Sequence, residues 1–327
     1  MKKLNWAIIG PGTIANEFAK SLNEEVGEVY GVWGRKFDKA KEFAKNHNVK
    51  NVYKDLNEML KDENIDVVYV ATPHSNHHEY VIESLKNNKH VICEKAITVN
   101  GKQLKEIKDL ANEKNLIVTE AMTIFHMPLY KKLGEIVKNG DLGKIKMIQV
   151  NFGSLKEYDV TNRFFSPDLA GGALLDIGTY ALSYARYFLS SQPEEILTTV
   201  KKFETGVDEQ SGIILKNKED EMAVISLTMR AKQPKRGIVC GEKAYITVEN
   251  FPRAEKATIT YPDGRVETIE CGETSKALIY EIKDMIDYIE KKKDNDTLEL
   301  STDVVGIMDN VREQWLSLIH ISEPTRR

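Results

Sequence analysis

A glycine-rich turn near the N-terminus is typical of a dinucleotide-binding site. It reads GPGTIA, the pattern G-x-G-x-x-A, and starts at Gly10. Gly10 permits a tight turn, Gly12 lets a pyrophosphate approach the backbone, and Ala15 leaves room for a helix on a sheet. The first turn of that helix, with Thr13 and Ile14, offers free N–H groups to an anion. These residues are predicted to bind a cofactor; an ordinary glycine turn is the alternative.

The residues after the second predicted strand indicate which nicotinamide cofactor is used. An NAD-binding chain has an acidic residue there that grips the ribose 2′-hydroxyl. This chain instead has Arg35 and Lys36, and cations can hold a 2′-phosphate through charge-assisted hydrogen bonds. The sequence therefore predicts NADP, with NAD as the alternative and Arg35 as the phosphate-binding residue. The competing interpretation is a pair of solvated loop cations.

Glu94 and Lys95 follow a predicted strand over residues 90–93. Ligands of open α/β sheets bind at the carboxyl edge of the strands, which is where this pair would lie. A lysine there can hydrogen-bond a substrate hydroxyl or polarise a carbonyl. We therefore predict that Lys95 is catalytic and that both residues contact the cofactor. A surface lysine paired with Glu94 is the alternative.

Thr72, Pro73 and His77 follow the preceding predicted strand and are expected at the same edge, around the nicotinamide. The histidines of this segment also suggest a metal site, since His74 and His78 are four residues apart. No carboxylate or cysteine nearby completes a recognisable ligand set. No metal site is predicted.

Asp176 and Tyr180 are four residues apart in a predicted helix and would share one helical face. A carboxylate and a phenol on one face could orient a polyol and exchange a proton with it. Both are therefore candidate catalytic residues. A capping acid and a core tyrosine form the alternative interpretation.

The elements that must position these residues change character near residue 122. Short apolar runs alternate with amphipathic helices before it, which predicts a doubly wound parallel Rossmann sheet over residues 1–122. Within that part, Asp55 and Asn100 are predicted helix caps, and Asn76 with Glu79 reads as a capping box.

Consecutive strands with short turns follow, between two groups of helices. They predict an α+β domain with a large, mainly antiparallel sheet over residues 123–315. The overall fold class is α/β with this second, substrate-binding domain.

Composition excludes several classes of protein. The chain has 327 residues, 41% hydrophobic and 29% charged, and a formal net charge of −4. That balance argues against nucleic acid or an anionic membrane as a partner. No apolar run is long enough to span a membrane, and the start does not resemble a signal peptide. Three widely spaced cysteines favour a reducing cytoplasm.

Several motifs in order make the sequence resemble the Gfo/Idh/MocA oxidoreductase family, and within it the branch of dihydrodiol dehydrogenase and NADP-dependent xylose dehydrogenase. The motifs that carry the resemblance are GPGTIA at 10–15, ATPHSNH at 71–77, HVICEKA at 90–96, EAMTIFHMP at 120–128, AGGALLDIGTY at 170–180 and TGVDEQ at 205–210.

The resemblance implies a Rossmann domain followed by a sheet domain that often pairs subunits, and so a homodimer or higher homo-oligomer. Lys95 would take the place of the family's EKP lysine, and Asp176 and Tyr180 the substrate positions of its D-x-G-x-H/Y motif. The chain departs from the family at Ala96, where proline is usual. It also has Thr123-Ile124 where this branch commonly has a Trp-x-Arg stretch.

These observations predict an NAD(P)-dependent dehydrogenase or reductase that acts on a secondary alcohol or carbonyl of a sugar, polyol or diol. Hydride would pass between the substrate carbon and the nicotinamide, while Tyr180 exchanges the hydroxyl proton and Lys95 positions the oxygen. The alternative is a non-catalytic NAD(P)-sensing regulatory protein of the same fold.

The last segment does not fit the rest of the chain. Residues 316–326 read LSLIHISEPTR, which resembles the translation of a transposase-type sequencing adapter. We interpret residues 316–327 as a non-native, adapter-derived tail and exclude them from reasoning about the fold.

Overall fold

The chain divides into two units in the computed structural model, which describes residues 3–23 and 25–322. The first unit comprises residues 1–126 and 275–298, and the second comprises residues 127–274 and 299–327. The observed division therefore differs from the predicted boundary at residue 122. A segment near the C-terminus, which the prediction assigned to the second domain, belongs to the first unit.

The first unit is built on a six-stranded parallel sheet, as predicted. Its strands are β1 (Asn5–Ile9), β2 (Glu28–Trp33), β3 (Asn51–Val52), β4 (Val67–Val70), β5 (His90–Glu94) and β6 (Val118–Ala121). Their order is β3-β2-β1-β4-β5-β6, so the direction of progression reverses between β1 and β4. In doubly wound folds, the crevice at such a reversal is where a ligand binds.

Six helices connect or follow these strands. They are α1 (Thr13–Ser21), α2 (Phe37–His47), α3 (Leu56–Lys61), α4 (His77–Lys86), α5 (Gly101–Glu113) and α6 (Thr123–His126). The core between helices and sheet is aromatic: the rings of Phe18 and Tyr69 stack with centroids 3.8 Å apart, and Trp6 meets Phe18 edge-on at 5.5 Å. The core fixes α1, and with it the turn that begins this helix, against the sheet.

Two of the three predicted helix caps are confirmed. The carboxylate of Asp55 accepts a hydrogen bond from the Glu58 amide at 3.1 Å, and the Asn100 side chain accepts one from the Gln103 amide at 2.9 Å. The predicted capping box at Asn76 is wrong. Residues His74–Asn76 form a 3₁₀ turn that leads directly into α4, so Asn76 already has near-helical backbone angles and its side chain caps nothing.

The second unit contains an eight-stranded, mainly antiparallel sheet, also as predicted. Its strands are β7 (Ile145–Gly153), β8 (Glu195–Lys202), β9 (Asp208–Lys216), β10 (Met222–Thr228), β11 (Arg236–Gly241), β12 (Tyr245–Glu249), β13 (Lys256–Thr260) and β14 (Val266–Glu270). The order is β14-β13-β12-β11-β7-β10-β9-β8, and one interior pair, β7 and β10, is parallel. Two helices, α7 (Pro128–Lys138) and α8 (Thr179–Phe188), belong to the same unit.

Two further helices follow the second sheet. Helix α9 (Ala277–Ile289) returns to the first unit because Leu278, Ile282 and Met285 on one face join the aromatic core around Phe18. Helix α10 (Thr297–Ser322) runs on beyond the buried Trp315. The predicted non-native tail thus begins within α10, and its residues 323–327 lie outside the described part of the chain.

Within residues 3–23 and 25–322, none of these helices has the length and apolar character needed to cross a bilayer.

Candidate active site

The glycine turn joins three strands at the carboxyl edge of the parallel sheet. Gly10 has a φ of +94°, and a Cβ at this position would lie 2.8 Å from both the Ala71 carbonyl oxygen and Cγ2 of Thr72. The Gly10 amide donates a hydrogen bond to the Trp33 carbonyl oxygen at 3.0 Å. Only glycine meets both the backbone angle and the close approach, so the turn is locked to the ends of β2 and β4.

The space beside Gly12 fits a dinucleotide. A Cβ on Gly12 would meet nothing within 4 Å, and no side chain caps the N-terminus of α1 that this residue begins. The hydroxyl of Thr72 is buried and has no hydrogen-bond partner among the described residues. An open approach to the backbone, uncapped N–H groups and a buried hydroxyl in need of a partner are features that a bound diphosphate would satisfy.

Arg35 lies on the loop after β2, with its side chain exposed to solvent. The loop packs against the glycine turn, since a Cβ on Gly34 would lie 2.6 Å from Cδ of Pro11. Burial raises the pKa of Tyr80 on α4, and the charge of Arg35 opposes that rise, which places the guanidinium near the phenol. An exposed cation beside the glycine turn is compatible with the predicted 2′-phosphate contact.

Glu94 and Lys95 lie where β5 ends. The hydroxyl of the fully buried Tyr69 donates a hydrogen bond to Oε1 of Glu94 at 2.6 Å, and burial raises the pKa of Tyr69 well above its usual range. Glu94 is thereby fixed to the core of the sheet. Lys95 is half-buried, and the peptide bond between Lys95 and Ala96 is cis.

His77 lies between the loops after β4 and β5. Its ring is fully buried, with Nδ1 2.8 Å from the Ala96 carbonyl oxygen and Nε2 2.8 Å from the Thr72 carbonyl oxygen. Burial lowers the pKa of the ring. Because both nitrogens face backbone carbonyls, His77 connects the loop after β4 to the loop after β5, and its contact with the cofactor stays a prediction.

The other histidines of this segment have other surroundings. Nε2 of His78 lies 2.9 Å from a carboxylate oxygen of Glu106 on α5, and His74 is buried with its ring edge-on to that of His77. Within the part of the chain that the structure describes, no group of three histidine, cysteine, aspartate or glutamate residues could hold a metal ion.

Asp176 and Tyr180 lie in the second unit, at a junction between two kinds of helix. Residues Leu174–Gly178 form a π-helical turn, and α8 begins at Thr179. The wider π turn changes the expected register, and the two side chains have different neighbours. Asp176 is buried beside Arg163, whereas the half-buried Tyr180 ring lies 6.1 Å from that of Phe152 and lines a cavity. The structure therefore does not support the predicted arrangement of both side chains on one helical face.

Arg163 is a site residue that the sequence analysis missed. Its Nη2 lies 3.3 Å from Oδ1 of Asp176, and its side chain is 44% exposed while that of Asp176 is 9% exposed. The guanidinium therefore covers the carboxylate on its solvent side. No motif pointed to Arg163, because it lies in a polar loop between β7 and the π turn that sequence patterns do not place.

Asp208 is the second residue that was missed. Its carboxylate accepts a hydrogen bond from the Leu174 amide at 2.6 Å, so it caps the π turn that carries Asp176. Gly172 has a φ of +106°, and a Cβ there would overlap Oδ1 of Asp208. Burial raises the pKa of Asp208 to about 6. The signal was available: Gly172 and Asp208 belong to two motifs, AGGALLDIGTY and TGVDEQ, that meet at this cap.

Two family models match the chain in sequence order. Residues 4–122 match the oxidoreductase family GFO_IDH_MocA, described as an NAD-binding Rossmann fold, and residues 130–247 match the GFO/IDH/MocA C-terminal domain. One model matches a segment of each unit, which confirms the resemblance that the motifs suggested.

Individual relatives are similar over most of the chain. A trans-1,2-dihydrobenzene-1,2-diol dehydrogenase of Xenopus tropicalis is 34% identical over 247 residues, 74% of each chain. A scyllo-inositol 2-dehydrogenase (NADP(+)) of Bacillus subtilis is 29% identical over 95% of this chain and 97% of its own. A D-xylose 1-dehydrogenase (NADP(+)) of Hypocrea jecorina is 31% identical over 82% of this chain and 78% of its own.

Solved structures share the fold. A levoglucosan dehydrogenase in complex with NADH and levoglucosan has a TM-score of 0.86 at 19% identity, covering 97% of this chain and 98% of its own. A 3-ketoreductase from Actinomadura kijaniata, in complex with NADP and TDP-benzene, has a TM-score of 0.84 at 20% identity, covering 95% and 98%. Because the two family models match residues 4–122 and 130–247, the chain belongs to the GFO/IDH/MocA family of oxidoreductases.

Proposed function

We propose that the protein is an NADP-dependent oxidoreductase that transfers hydride between nicotinamide and a secondary alcohol or carbonyl of a sugar, polyol or diol. NAD is the weaker alternative, because the loop after β2 carries Arg35 and no acidic residue. Relatives named for dihydrodiol, scyllo-inositol and xylose as substrates support this class of small hydroxylated compounds.

The cofactor supplies the hydride acceptor or donor when it is bound. In this chain, the diphosphate would lie on the open backbone at Gly12 and on the amides of Thr13 and Ile14, next to the Thr72 hydroxyl. Arg35 would bind the 2′-phosphate, and Pro73 would border the nicotinamide. Each of these groups belongs to the edge that the Gly10 turn holds together.

Lys95 and Tyr180 would handle the proton and the charge on the reacting oxygen. Lys95 donates a hydrogen bond to the substrate hydroxyl or carbonyl and stabilises negative charge on that oxygen. Tyr180 exchanges the hydroxyl proton as the general acid or base, and Asp176, held by Arg163, orients a neighbouring hydroxyl.

One observation supports this proposal: contacts through Thr72 and Ala96 connect the loop that carries Lys95 to the glycine turn and to the loop after β4. Gly10 packs on Thr72, and the His77 ring lies within 2.8 Å of the carbonyl oxygens of both Thr72 and Ala96, the residue after Lys95. A lysine whose loop is connected to the glycine turn in this way is suited to act beside nicotinamide. A sensor that only binds the cofactor needs no such residue.

A substrate panel tests the proposal against the regulatory alternative. Purified protein is incubated with NADP and individual polyols, aldoses and diols, and NADPH formation is followed by its absorbance. We expect turnover of at least one member of the panel, with a lower rate when NAD replaces NADP. Tight NADP binding without turnover of any member would instead support a cofactor-sensing regulator.

We also propose that the protein forms a homodimer or a higher homo-oligomer through the open face of the eight-stranded sheet. Leu197, Ile214 and Val224 are paired across β8, β9 and β10 in one row, and they are 64%, 38% and 39% exposed. Ile238 on β11 continues the row beyond Gln149. A row of exposed branched side chains on a sheet face is typical of a surface that a partner covers.

We propose that the protein is cytoplasmic. All three of its cysteines, Cys93, Cys240 and Cys271, are free thiols in the structure, as suits a reducing compartment.

A further inference from the structure

The cavity that Tyr180 lines is larger than a sugar ring requires. It has a volume of about 820 Å³ and lies entirely within the second unit. Tyr180 and Phe152 form one part of its wall, and residues 249–258 with Lys235 form another. Ligand pockets of about 300–1,000 Å³ hold drug-sized molecules, so the cavity has room for a sugar that carries a further group.

Backbone hydrogen bonds of the buried Phe251 fix the part of the wall that carries Lys235 and Arg253. Phe251 is fully buried, and its amide donates a hydrogen bond to the Lys235 carbonyl oxygen at 3.3 Å. Its own carbonyl oxygen accepts a hydrogen bond of 2.5 Å from the hydroxyl of the buried Tyr130. The short turn Phe251–Arg253 is thereby fixed against the residue that precedes β11, and Lys235 and Arg253 both line the cavity.

The Phe152 ring lies between the ammonium group of Lys235 and Tyr180, the proposed proton donor. Nζ of Lys235 is 5.0 Å from the centroid of the Phe152 ring, and that ring is 6.1 Å from the Tyr180 ring. Lys235 has no carboxylate partner among the described residues, and its side chain is exposed. The charge is therefore available to a ligand whose reacting carbon lies at Tyr180.

Three other charged residues of the cavity wall have partners of their own. Glu249 pairs with Nε of Arg236 at 2.5 Å, and Lys256 pairs with Glu270 at 2.9 Å. A carboxylate oxygen of Glu255 accepts a hydrogen bond from the Thr274 amide at 2.5 Å. The side of the wall near Phe152 thus keeps the positive charge of Lys235.

We propose that the substrate carries an oxyanion, a phosphate ester or a carboxylate, on the part of the molecule away from the oxidised carbon, and that Lys235 and Arg253 bind it. This inference rests on the proposed function, since it assumes that the reacting carbon lies at Tyr180. It narrows the substrate class from sugars and polyols in general to their anionic derivatives.

The test compares matched substrates on matched variants. The values of kcat and KM with NADP are measured for a neutral aldose or polyol, for its phosphate ester and for its carboxylate derivative. The enzymes are the wild type, Lys235→Ala, Lys235→Arg, Arg253→Ala and Lys232→Ala; Lys232 is an exposed lysine of the same loop that does not line the cavity. Because Lys235 is exposed, its substitution leaves the fold intact.

We expect the wild type to prefer an anionic substrate by at least 10-fold in kcat/KM. Because charge-assisted hydrogen bonds to the anion are lost, the KM for that substrate should be about 10- to 100-fold higher in Lys235→Ala. The kcat for the anionic substrate, and both kcat and KM for the neutral substrate, should change less than about 2-fold. Lys235→Arg should restore most of the loss, and Lys232→Ala should match the wild type. Comparison of kcat/KM for the phosphate ester and for the carboxylate derivative then shows which oxyanion the enzyme prefers.

Turnover of neutral substrates without any preference for their anionic derivatives would overturn this inference and leave the proposed function standing. An equal effect of Lys235→Ala on neutral and anionic substrates would also overturn it. If no substrate of either kind is turned over, the proposed function fails, and this inference fails with it.

Discussion

We infer that the choice between the two nicotinamide cofactors rests on Arg35. Its side chain is exposed on a loop that packs against the glycine turn through Gly34 and Pro11. Because the guanidinium is exposed, its removal should affect ligand binding more than stability. A guanidinium pairs with phosphate oxygens through charge-assisted hydrogen bonds, which a ribose hydroxyl cannot match.

We therefore expect Arg35→Ala to weaken NADP binding by about 10- to 150-fold, the equivalent of about 1.5–3 kcal/mol, and to change NAD binding little. Titration of each cofactor, followed by the quenching of tryptophan fluorescence, measures both affinities. Lys39→Ala, which removes an exposed cation one turn into α2, is the control. Equal losses for the two cofactors would mean that Arg35 supports the loop and does not read the phosphate.

Individual residues differed in how far the sequence could place them. Gly10, Gly12 and Lys95 were predictable because a strand end, a turn and a helix start fix their surroundings locally. His77 was expected beside the cofactor, but its role depends on two carbonyl groups in separate loops, which no local pattern shows. Arg163 reaches Asp176 from an irregular loop, and its contact depends on tertiary structure alone.

At the scale of elements, the helical segment that carries Asp176 and Tyr180 is held at its start by a buried charge. Asp208 on β9 accepts the Leu174 amide, and Gly172 makes room for it. Burial raises the pKa of Asp208 from 3.8 to about 6. The folded state thus binds a proton more tightly than the unfolded state, and the free energy of unfolding falls as the pH rises through the window from about 4 to 6.

Replacement of Asp208 tests this arrangement. Asp208→Asn keeps an oxygen that accepts the Leu174 amide and removes the buried charge. At 1.36 kcal/mol per pKa unit, that charge lowers the free energy of unfolding at neutral pH by an amount on the order of 3 kcal/mol. The thermal midpoint of the wild type should fall relative to that of Asp208→Asn as the pH rises from about 4 to 6. Asp208→Ala, which also loses the cap, should be less stable than Asp208→Asn by about 0.5–2 kcal/mol.

The exposed cap of α3 provides the control for this prediction. Asp55 accepts the Glu58 amide in the same manner but lies at the surface, so Asp55→Asn should leave the pH dependence as it is in the wild type. Identical pH profiles for the wild type and Asp208→Asn would show that the Asp208 carboxylate carries no net cost of burial.

The order of strands and helices was largely predictable, and the departures have local causes. Apolar runs and alternation indicated both sheets, since parallel strands are buried on two faces and the second sheet on one. The π turn at Leu174–Gly178 was not predictable, because its sequence reads as ordinary helix. Helix α9 was assigned to the wrong unit because its apolar face fits any core, and sequence does not say which core it joins.

At the scale of the whole molecule, the open sheet face predicts self-association. A stable homodimer buries about 800 Å² on each partner, and the paired row of Leu197, Ile214 and Val224 would supply its apolar centre. Light scattering at micromolar concentration should give at least twice the mass of the chain.

The double variant Ile214→Glu, Val224→Glu should shift that mass to the monomer, since it places two charges in the apolar row. Leu155→Glu, which changes an exposed leucine in a loop outside the sheet, should keep the wild-type mass. A monomeric wild type at this concentration would contradict the proposal.

The interpretation of residues 316–327 as an adapter-derived tail is also testable. Removal of a segment that has no native packing should leave the thermal midpoint of the protein unchanged. The last buried side chain described before the tail is Trp315, and Leu316 is 60% exposed. A fall of the midpoint by about 2–4 °C or more, which corresponds to about 1 kcal/mol for a chain of this size, would show that the tail packs natively.

A double-mutant cycle tests whether Lys95 and Tyr180 serve one reacting oxygen. Removal of a general acid or base typically lowers kcat by about 10²- to 10⁴-fold, and Tyr180→Phe should fall in this range. If both residues act on the same oxygen, the double variant loses less than the product of the two single losses. Strictly multiplicative losses would mean that they act independently, and full activity of Tyr180→Phe would assign the proton to another group.

The central claim is that Lys95 is required for the proposed hydride transfer. The turnover of Lys95→Met at saturating NADP tests this claim most directly. Using the substrate found in the panel, we predict a kcat about 10²- to 10⁴-fold below that of the wild type, while the Kd for NADP stays within a few-fold. An unchanged kcat in Lys95→Met would contradict the account.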